Sequence, residues 1–445
     1  KLGRSAQGDA LAQSHTGALA GNDAAVDVFL NAHGVMRVNQ LETLFEIAPL
    51  ALHFEKPAIE ATRAPRLAVI TTTGGGAATV VDNLGLHGIE AVVPPLDFIG
   101  HMAQRGLAIR QTPVIDLTLA ATSDQYKDLL EQLLQSDWCD GVLSVVGSSA
   151  QFHPELAVKP LVQSQRPSNK VLAVFLAPEA TESLRLLQQA GIAAFRTPES
   201  CADALAVFFK RAGSAPVSLG SFSWPAGLPT QGTLTEFQSN QVFSQLGVPV
   251  AAHALIDPLN PQHLVPYPVV LKVSSPDIAH KTDVGGVKVN IADATALQQA
   301  ATEIMANVTH NCPQAHINGL LVQTMAPRLL ELILGYRDDP LVGPTVLLGA
   351  GGIAAELLPD VSLRLAPVSN AQAWQMIEEV KSTQLVRGFR GLPKGDCEAL
   401  ARAIVAVSQL AALTGVKVQE AEINPLFVQA DGVVAVDGLI VLANA

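Results

Sequence analysis

The sequence predicts an α/β protein in which a parallel-sheet unit is followed by a second unit of the α+β type. Between residues 66 and 212, apolar strands alternate with helices of about ten residues, which is typical of βαβ units and a parallel sheet. After residue 234, paired strands joined by turns indicate antiparallel pairing. The chain of 445 residues is also too long for one hydrophobic core, so we expect two or three domains.

Composition excludes several classes of function. Hydrophobic residues make up 49% of the chain, but no run reaches the ~18 apolar residues that cross a bilayer, so no membrane partner is expected. The net charge of -12 argues against a nucleic-acid partner, because phosphate backbones bind clustered Lys and Arg. The 4 cysteines are far apart and show no CxxC spacing, which fits reduced thiols in the cytoplasm.

Residues 1–62 contain too few elements for a domain of their own. They consist of one loop, a helical stretch near Asp23–Ala32 and another near Gln40–His53. The chain also starts abruptly on "KLG", without Met. We therefore interpret residues 1–62 as the tail of a domain that begins upstream.

Residues 66–212 form the predicted parallel-sheet unit. "RLAVITTTGGG" is a strand that runs into a glycine loop, with a helix expected over Ala77–His87. Helices near Asp124–Ser136 and Ala180–Ala190 separate the later strands "GVLSVV", "KVLAVFL" and "AAFRT". Ligands of such sheets bind at the carboxyl ends of the strands. Residues 213–230 are rich in Gly, Pro and Ser, which predicts a linker.

Residues 231–445 form the predicted α+β unit. A helix over Thr235–Leu246 precedes the strands "YPVVLKVSS" and "GGVKVNI". A long helix over Asp293–Val308 should begin with Asp293 as its cap. The remaining strands are "INGLLVQTM", "LELILGYRDD", "TVLLGAGG", "AEINPLFV" and "GVVAVDGLIVL".

The motif "SHTGALAG" places His15 among small residues. A neutral imidazole nitrogen is a good nucleophile and can carry a phosphoryl group covalently, and the small neighbours leave it open to approach. An ordinary surface histidine or a helix cap remains the alternative.

The glycines Gly74, Gly75 and Gly76 lie between a strand and a helix. Backbone N–H groups and the helix dipole both favour an anion at such a place, so these residues are candidates for binding phosphate. The motif is neither a full GxGxxG nor a Walker A sequence, and a purely structural turn is the alternative.

The segment "LKVSSPDIAHKTDVGG" combines a strand lysine with a polar loop. Lys272 sits inside an apolar strand, where an unpaired ammonium group is costly and a phosphate group would offset the cost. His280, Lys281 and Asp283 cluster in the following loop. An ordinary strand–loop–strand is the less favoured alternative.

Two further motifs carry acidic residues. Glu331 begins the strand of "ELILGYRDD", although ordinary strand and turn residues would explain this region equally well. In "EAEINPL", Glu420, Glu422 and Asn424 alternate and so share one face of a strand, with Asp437 on the next strand of the hairpin. Oxygen atoms on adjacent strands suit a Mg²⁺ ion that carries nucleotide phosphates.

These motifs together resemble the nucleoside-diphosphate-forming acyl-CoA synthetases, the superfamily of ADP-forming acetyl-CoA synthetase and succinyl-CoA synthetase. "LKVSSPDIAHKTDVGGV", "ELILGYRDDPLVGPTVLLGAGG" and "EINPL" with "VAVDG" are similar to its ATP-grasp domain, and "SHTGALAGND" to its phosphohistidine loop. The resemblance covers essentially the whole chain. It implies that residues 66–212 are a flavodoxin-like CoA-ligase domain, residues 231–445 an ATP-grasp domain, and residues 1–62 the end of a first such ligase domain.

The resemblance also implies roles for single residues. His15 would be the phosphorylated histidine, and Gly74–Gly76 would lead into the helix whose N-terminus steadies that phosphate. His280 would be a second histidine that carries phosphate towards the nucleotide, and Glu422 an acidic partner of the phosphohistidine. The other implied contacts are Lys272 with nucleotide phosphates, Asn424 and Asp437 with Mg²⁺, Glu331 with the nucleotide, and Val322 and Gln323 near the adenine.

The implied reaction joins a carboxylic acid to coenzyme A with ATP and Mg²⁺, releasing ADP and phosphate, through acyl-phosphate and phosphohistidine intermediates. Relatives commonly assemble as dimers of a fused chain, so a homo-oligomer is expected. The alternative is a regulatory, ligase-like region of a protein acetyltransferase that senses CoA or nucleotide. An ATP-grasp ligase acting on amines is a third option, but it leaves the SHTG loop unexplained.

Overall fold

A computed structural model describes residues 5, 7–8, 23–55, 59, 63–118, 121–166, 170–210, 222–278, 280–352 and 360–443 of the chain. The chain divides into two units, one of residues 30–214 and one of residues 215–445 with 1–29. The first holds a parallel sheet and the second holds antiparallel sheets, so the predicted fold class is confirmed.

The first unit is built on a six-stranded parallel sheet. Its strands are β1 (Arg66–Thr71), β2 (Glu90–Ala91), β3 (Val114–Asp116), β4 (Gly141–Val146), β5 (Val171–Leu176) and β6 (Ala193–Phe195). The strand order is β2-β1-β4-β5-β6, with β3 also pairing with β1. Every residue of β4 and β5 is buried, as expected for central strands of a parallel sheet.

Helices alternate with these strands, and the sequence revealed only part of them. They are α2 (Leu41–Glu46), α3 (Ala48–His53), α4 (Gly74–Leu86), α5 (Leu96–Gln104), α6 (Ser123–Gln135), α7 (Ser149–Phe152), α8 (Pro154–Gln163), α9 (Thr181–Gln189) and α10 (Pro198–Lys210). A helix before them, α1 (Asp23–Ala32), contains the boundary between the two units, which falls after Phe29. The helices α5, α7, α8 and α10 and the strand β3 were not predicted. Both α8 and α10 begin with proline, which reads as a break in a sequence but fits the first turn of a helix.

The helices α2 and α3 pack on the parallel-sheet unit. The carboxylate of Asp203 accepts hydrogen bonds from the backbone amides of Asn39 at 2.7 Å and Gln40 at 3.1 Å, just before α2. Glu46 at the end of α2 bonds to Arg196 at 2.7 Å, and Leu50 of α3 is fully buried in the sheet's core. These helices therefore share a core with the parallel-sheet unit, and the assignment of residues 1–62 to the end of a preceding ligase domain stays a prediction.

The second unit begins with β7 (Gly232–Thr233) and α11 (Glu236–Gln245), followed by a four-stranded antiparallel sheet. Its strands are β8 (His253–Ile256), β9 (Val269–Ser274), β10 (Val287–Ile291) and β11 (Gly319–Thr324), in the order β10-β9-β11-β8. The helix α12 (Ala294–Asn311) packs on this sheet, and Asp293 caps it as predicted. The apolar face of the sheet is therefore buried under α12.

A seven-stranded antiparallel sheet completes the second unit. It contains β7, β12 (Leu330–Asp339), β13 (Gly343–Ala350), β14 (Val361–Leu365), β15 (Val418–Gln429), β16 (Gly432–Ala435) and β17 (Gly438–Leu442). The order is β14-β13-β12-β15-β17-β7, with β16 paired to β15. The helices α13 (Asn370–Glu379) and α14 (Cys397–Ser408) contribute to its core, and three short 3₁₀ segments lie at Lys381–Val386, Phe389–Gly391 and Gln409–Ala412.

Part of the predicted linker belongs to the second unit. Phe222, Trp224 and Leu228 pack against the core of this unit, and the indole of Trp224 donates to the Pro229 carbonyl at 3.1 Å. The rest of the predicted linker, residues 213–221, lies outside the described residues. Among the described helices, none is both long and apolar enough to span a membrane.

Candidate functional site

One face of the four-stranded sheet is polar and points away from α12. Leu271 and Val273 of β9 belong to the core under α12, so the alternating residue Lys272 lies on the opposite face. Lys272 is nevertheless only 5% exposed. A buried ammonium group of this kind needs partners, because an isolated charge is very costly to remove from water.

The partners of Lys272 are two carboxylates and a carbonyl. Its Nζ lies 2.6 Å from Glu236 Oε1 and 3.7 Å from Asp437 Oδ2, and it donates to the Val436 carbonyl at 2.9 Å. Lys281 Nζ lies 2.9 Å from Glu236 Oε2 and 3.3 Å from Asp437 Oδ1. The sequence suggested phosphate as the compensation for Lys272, whereas the structure shows a four-membered cluster of alternating charges.

The fold places the two carboxylates from opposite sides. Glu236 is the first residue of α11, where Thr235 and Gln238 form a capping box, and its side chain is buried. Asp437 was predicted on a strand of the hairpin, but it lies in the short break between β16 and β17. This break frees the Asp437 side chain from the sheet and turns it to the lysines.

Burial and charge act against each other on these groups. Burial raises the pKa of Glu236, and the nearby Asp437 charge adds to this effect although Lys272 and Lys281 oppose it. Burial alone also favours a raised pKa for Asp437, but the two ammonium groups outweigh it and lower that pKa. Burial favours a lower pKa for Lys281, but the carboxylates of Glu236 and Asp437 outweigh burial and raise this pKa. Asp437 and Lys281 are therefore charged at neutral pH.

A pocket of about 280 Å³ opens beside this cluster. Four of the predicted site residues line it, namely His280, Glu422, Asn424 and Asp437, while Lys272 contacts the lining residues Glu236 and Asp437. The other lining residues are Thr233, Leu234, Ser275, Pro276, Ile278, Lys281, Thr282, Asp283, Val287, Gly438 and Leu439. Segments far apart in sequence thus bring titratable groups to one cavity, as in many binding and catalytic sites.

Two side chains of the pocket offer oxygen atoms that suit Mg²⁺. The Asn424 amide nitrogen donates to Glu422 Oε1 at 3.0 Å, which leaves the Asn424 amide oxygen available as a ligand beside the Asp437 carboxylate. Within the described ranges, no group of three or more His, Cys, Asp and Glu residues is arranged around a metal position. Mg²⁺ often takes only one or two protein oxygens and completes its shell with phosphates and water, and this donor set fits that arrangement.

The predicted nucleotide contacts lie elsewhere on the unit. Val322 is fully buried in the core under α12, so its side chain does not face the pocket. Gln323 follows it on the Lys272 face, fully buried, and among the described residues neither atom of its amide has a hydrogen-bond partner. Glu331 pairs with Arg328 and lines a separate hollow with residues 326–330 and Gly351.

The glycines of the first unit start a helix instead of forming a loop. The structure extends α4 back to Gly74, so all three glycines lie in its first turn, at the carboxyl end of β1. The predicted helix start at Ala77 was therefore three residues late. Gly74 and Gly75 are exposed, and the amides of a first helical turn lack partners within the helix. His15, the predicted phosphate carrier, lies outside the described residues.

Sequence reasoning did not select Glu236. An acidic residue in the first turn of a helix is usually explained by the helix dipole, so nothing in "LTEFQSNQ" marked it as buried. Lys281 was noted only as part of a polar loop. The signal that was available is the pair of lysines, because ammonium groups near an apolar strand need carboxylate partners, and these come from segments outside this motif.

The fold and the pocket define a flavodoxin-like unit followed by an ATP-grasp unit. A family model described as "ATP-grasp domain" matches residues 229–442, and one described as "Succinyl-CoA ligase like flavodoxin domain" matches residues 1–51. A solved structure of the dinucleotide forming acetyl-coenzyme A synthetase 1 of Ca. Korarchaeum cryptofilum matches 47% of this chain and 93% of its own, at 40% identity and a TM-score of 0.45.

Similar curated proteins identify the family of this chain. The ADP-forming acetate–CoA ligase I of Archaeoglobus fulgidus is 30% identical over 464 residues, covering 100% of this chain and 66% of that protein. The beta subunit of the ADP-forming acetate–CoA ligase I of Pyrococcus furiosus is 37% identical, over 47% of this chain and 91% of that subunit. The 4-hydroxybutyrate–CoA ligase (ADP-forming) of Nitrosopumilus maritimus is 27% identical, over 97% of this chain and 64% of that protein. The chain belongs to the family of ADP-forming acyl-CoA ligases, and it spans about two thirds of the length of its single-chain relatives.

Proposed function

We propose that this chain is the phosphate-transferring part of an ADP-forming acyl-CoA ligase, which joins a carboxylic acid to coenzyme A at the expense of ATP. The observation that carries the proposal is that His280, Glu422, Asn424 and Asp437 line one pocket of the ATP-grasp unit, with Lys272 in contact with Asp437. Relatives named for acetate and for 4-hydroxybutyrate support a carboxylic acid as the substrate class.

The proposed reaction balances in three transfers. A nitrogen of His15 attacks the γ-phosphorus of ATP, the bond to the β-phosphate oxygen breaks, and ADP leaves. The carboxylate of the acid then takes the phosphoryl group from His15 and becomes an acyl phosphate. The thiolate of coenzyme A attacks the acyl carbon, and inorganic phosphate leaves as the acyl-CoA forms.

The pocket residues would stabilise the charge that moves in the first transfer. Lys272 would contact the nucleotide phosphates, while Asn424 and Asp437 would hold Mg²⁺. Bound there, Mg²⁺ would neutralise charge that develops on the phosphate oxygens. His280 is exposed at the pocket, in position to receive or guide the phosphoryl group, and Glu422 would accept a hydrogen bond from a histidine ring. Glu331, Val322 and Gln323 are proposed contacts of the remaining nucleotide.

The first turn of α4 would serve the second and third transfers. Gly74, Gly75 and Gly76 would present backbone N–H groups to the phosphate carried by His15, where the positive end of the helix dipole favours an anion. The open space around Gly74 and Gly75 supports this role, because a side-chain carbon at either position would meet nothing within 4 Å.

Labelling with γ-labelled ATP and Mg²⁺ tests the proposal, applied to the full-length protein and to His15→Ala and His280→Ala variants. We expect protein-bound phosphate that is labile in acid and stable in base, as a phosphohistidine is, and its loss in His15→Ala. Because His15 is not proposed to bind the nucleotide, ATP affinity should stay within about twofold in that variant.

The outcomes separate the two functions considered. Label that persists in His15→Ala would place the phosphate on another residue. A protein that binds ATP but takes up no label would favour the regulatory, ligase-like region of an acetyltransferase over the ligase.

We propose further that the protein acts in the cytoplasm as a homo-oligomer. All four cysteines are free, which is typical of a reducing compartment. Sedimentation of the native protein would measure its assembly state, and a single-chain mass would contradict the oligomer.

A further inference from the structure

Glu236 is the most buried charged group of the pocket cluster, and the proposed reaction gives it no role. Its side chain is 1% exposed, and its two oxygens contact different lysines. Oε1 lies 2.6 Å from Lys272 Nζ, and Oε2 lies 2.9 Å from Lys281 Nζ. A carboxylate this deeply buried is destabilised strongly when it loses its partners. Its two contacts are therefore expected to persist when the pocket is filled.

Asp437 is more exposed than Glu236 and lies farther from the two lysines. Its side chain is 35% exposed, and its distances to the two ammonium groups are longer, 3.7 Å to Lys272 and 3.3 Å to Lys281. It also faces the pocket beside Asn424. Its contacts with the lysines are thus the ones that an incoming anion with its metal can replace.

The charge balance of the cluster follows from this difference. With both carboxylates in place, each ammonium group contacts both of them. If Asp437 held a metal ion instead, Glu236 would be the one carboxylate of the cluster left beside the two ammonium groups, and positive charge would exceed negative charge beside the pocket. That charge attracts an oligophosphate in a site of low dielectric constant.

We propose that Glu236 is a positioning residue that holds Lys272 and Lys281 side by side as a paired binding site for the phosphates of a nucleoside triphosphate, with Asp437 as the exchangeable partner. The proposal rests on the nucleotide-binding role assigned to this pocket and extends it in two ways. It makes Lys281 a second phosphate-binding group, and it assigns a function to the carboxylate under the pocket.

The test compares ATP with AMP, because the ratio of their dissociation constants isolates what the outer phosphates contribute. Calorimetric titration of the chain with each nucleotide and Mg²⁺ would be carried out for the wild type, Glu236→Gln and Glu303→Gln. Glu303 is a matched control, since it pairs with Lys288 on the surface of the same unit at 2.5 Å.

In Glu236→Gln the amide oxygen can accept from one ammonium group only, and its NH₂ group faces the other. We expect the dissociation constant of AMP divided by that of ATP to fall roughly tenfold or more. A loss of this size is expected when hydrogen bonds to charged groups are lost. Glu303→Gln should keep the wild-type ratio. Glu236→Asp should recover part of the ratio, because it keeps the charge on a shorter side chain.

The result that overturns the inference is an unchanged ratio in a folded Glu236→Gln protein. Tighter ATP binding by that variant would also overturn it, because Glu236 would then be a competitor for the lysines. If Glu236→Gln fails to fold, Lys281→Met gives the answer, since the same fall in ratio is expected and an unchanged ratio contradicts the proposal. A wild-type chain that binds no ATP would instead remove the nucleotide-binding function itself.

Discussion

Three adjacent glycines at the start of α4 differ in what their missing side chains permit. At Gly74 and Gly75 an added carbon would meet nothing within 4 Å, whereas at Gly76 it would lie 2.6 Å from the Cβ atom of Ala177. The helix can approach the segment after β5 this closely only because residue 76 lacks a side chain. Gly76 thus has a packing function, while Gly74 and Gly75 leave space for a ligand.

This difference predicts the effects of alanine at two neighbouring positions. Gly76→Ala should lower the free energy of unfolding by about 1–3 kcal/mol, because either the helix or Ala177 must move. Gly75→Ala should leave it within about 0.5 kcal/mol of the wild type, because the added methyl group meets no atom. Urea unfolding of both variants gives the comparison, and equal losses would contradict the packing role of Gly76.

At the scale of elements, one carboxylate ties the starts of two neighbouring strands together. Asp140 precedes β4 and accepts hydrogen bonds from Arg63 at 2.6 and 2.8 Å and from the backbone amide of Arg66, the first residue of β1, at 2.8 Å. Burial alone would raise the pKa of Asp140, but these bonds to Arg63 and Arg66 outweigh burial and lower it.

The lowered pKa of Asp140 predicts a pH dependence of stability. A carboxyl group whose pKa is lower in the folded than in the unfolded chain stabilises the fold above the unfolded value, near 3.9, and this contribution is lost as the pH falls through the folded value. The stability difference between the wild type and Asp140→Asn should therefore be largest near neutral pH and shrink below about pH 4. Urea unfolding from pH 7 to pH 3 measures it, and a difference that grows on acidification would contradict the assigned bonds.

At the scale of the whole molecule, the pocket proposed to bind nucleotide belongs to only one of the two units. Its lining residues all lie between positions 233 and 439, in the unit with the antiparallel sheets. A ligand stabilises the structure that binds it, by about 2.7 kcal/mol at a hundredfold excess over the dissociation constant. The effect of nucleotide should therefore be confined to segments of that unit.

Hydrogen exchange, measured peptide by peptide, tests this expectation. With ATP and Mg²⁺, peptides covering residues 233–239, 270–283 and 422–439 should exchange more slowly, while peptides of β4 and β5 should not change. Chelation of the metal, or Asp437→Asn, should remove most of the protection, because the phosphates then lose the cation that neutralises them. Equal protection of β4 and β5 would contradict the placement of the site in one unit.

The sequence by itself determined the two kinds of sheet, because alternation of strands and helices and the pairing of adjacent strands are local patterns. It also selected Lys272, His280, Glu422, Asn424 and Asp437, whose residue types and motifs stand out against their surroundings. It could not place the proline-initiated helices, the packing of residues 39–54 on the parallel-sheet unit, or the first turn formed by the glycines. The packing of residues 39–54 depends on contacts between segments distant in sequence, whereas proline and glycine at a helix start resemble a break in the local pattern.

Only the tertiary structure decided what surrounds the strand lysine. Glu236 lies 36 positions before Lys272 in the chain, and its local sequence marks it only as a helix start. The fold buries it beneath two ammonium groups and leaves Asp437 at the edge of the pocket. The cost of a buried charge is set by the distance and number of its partners, and those are fixed only when separate sheets and helices pack together.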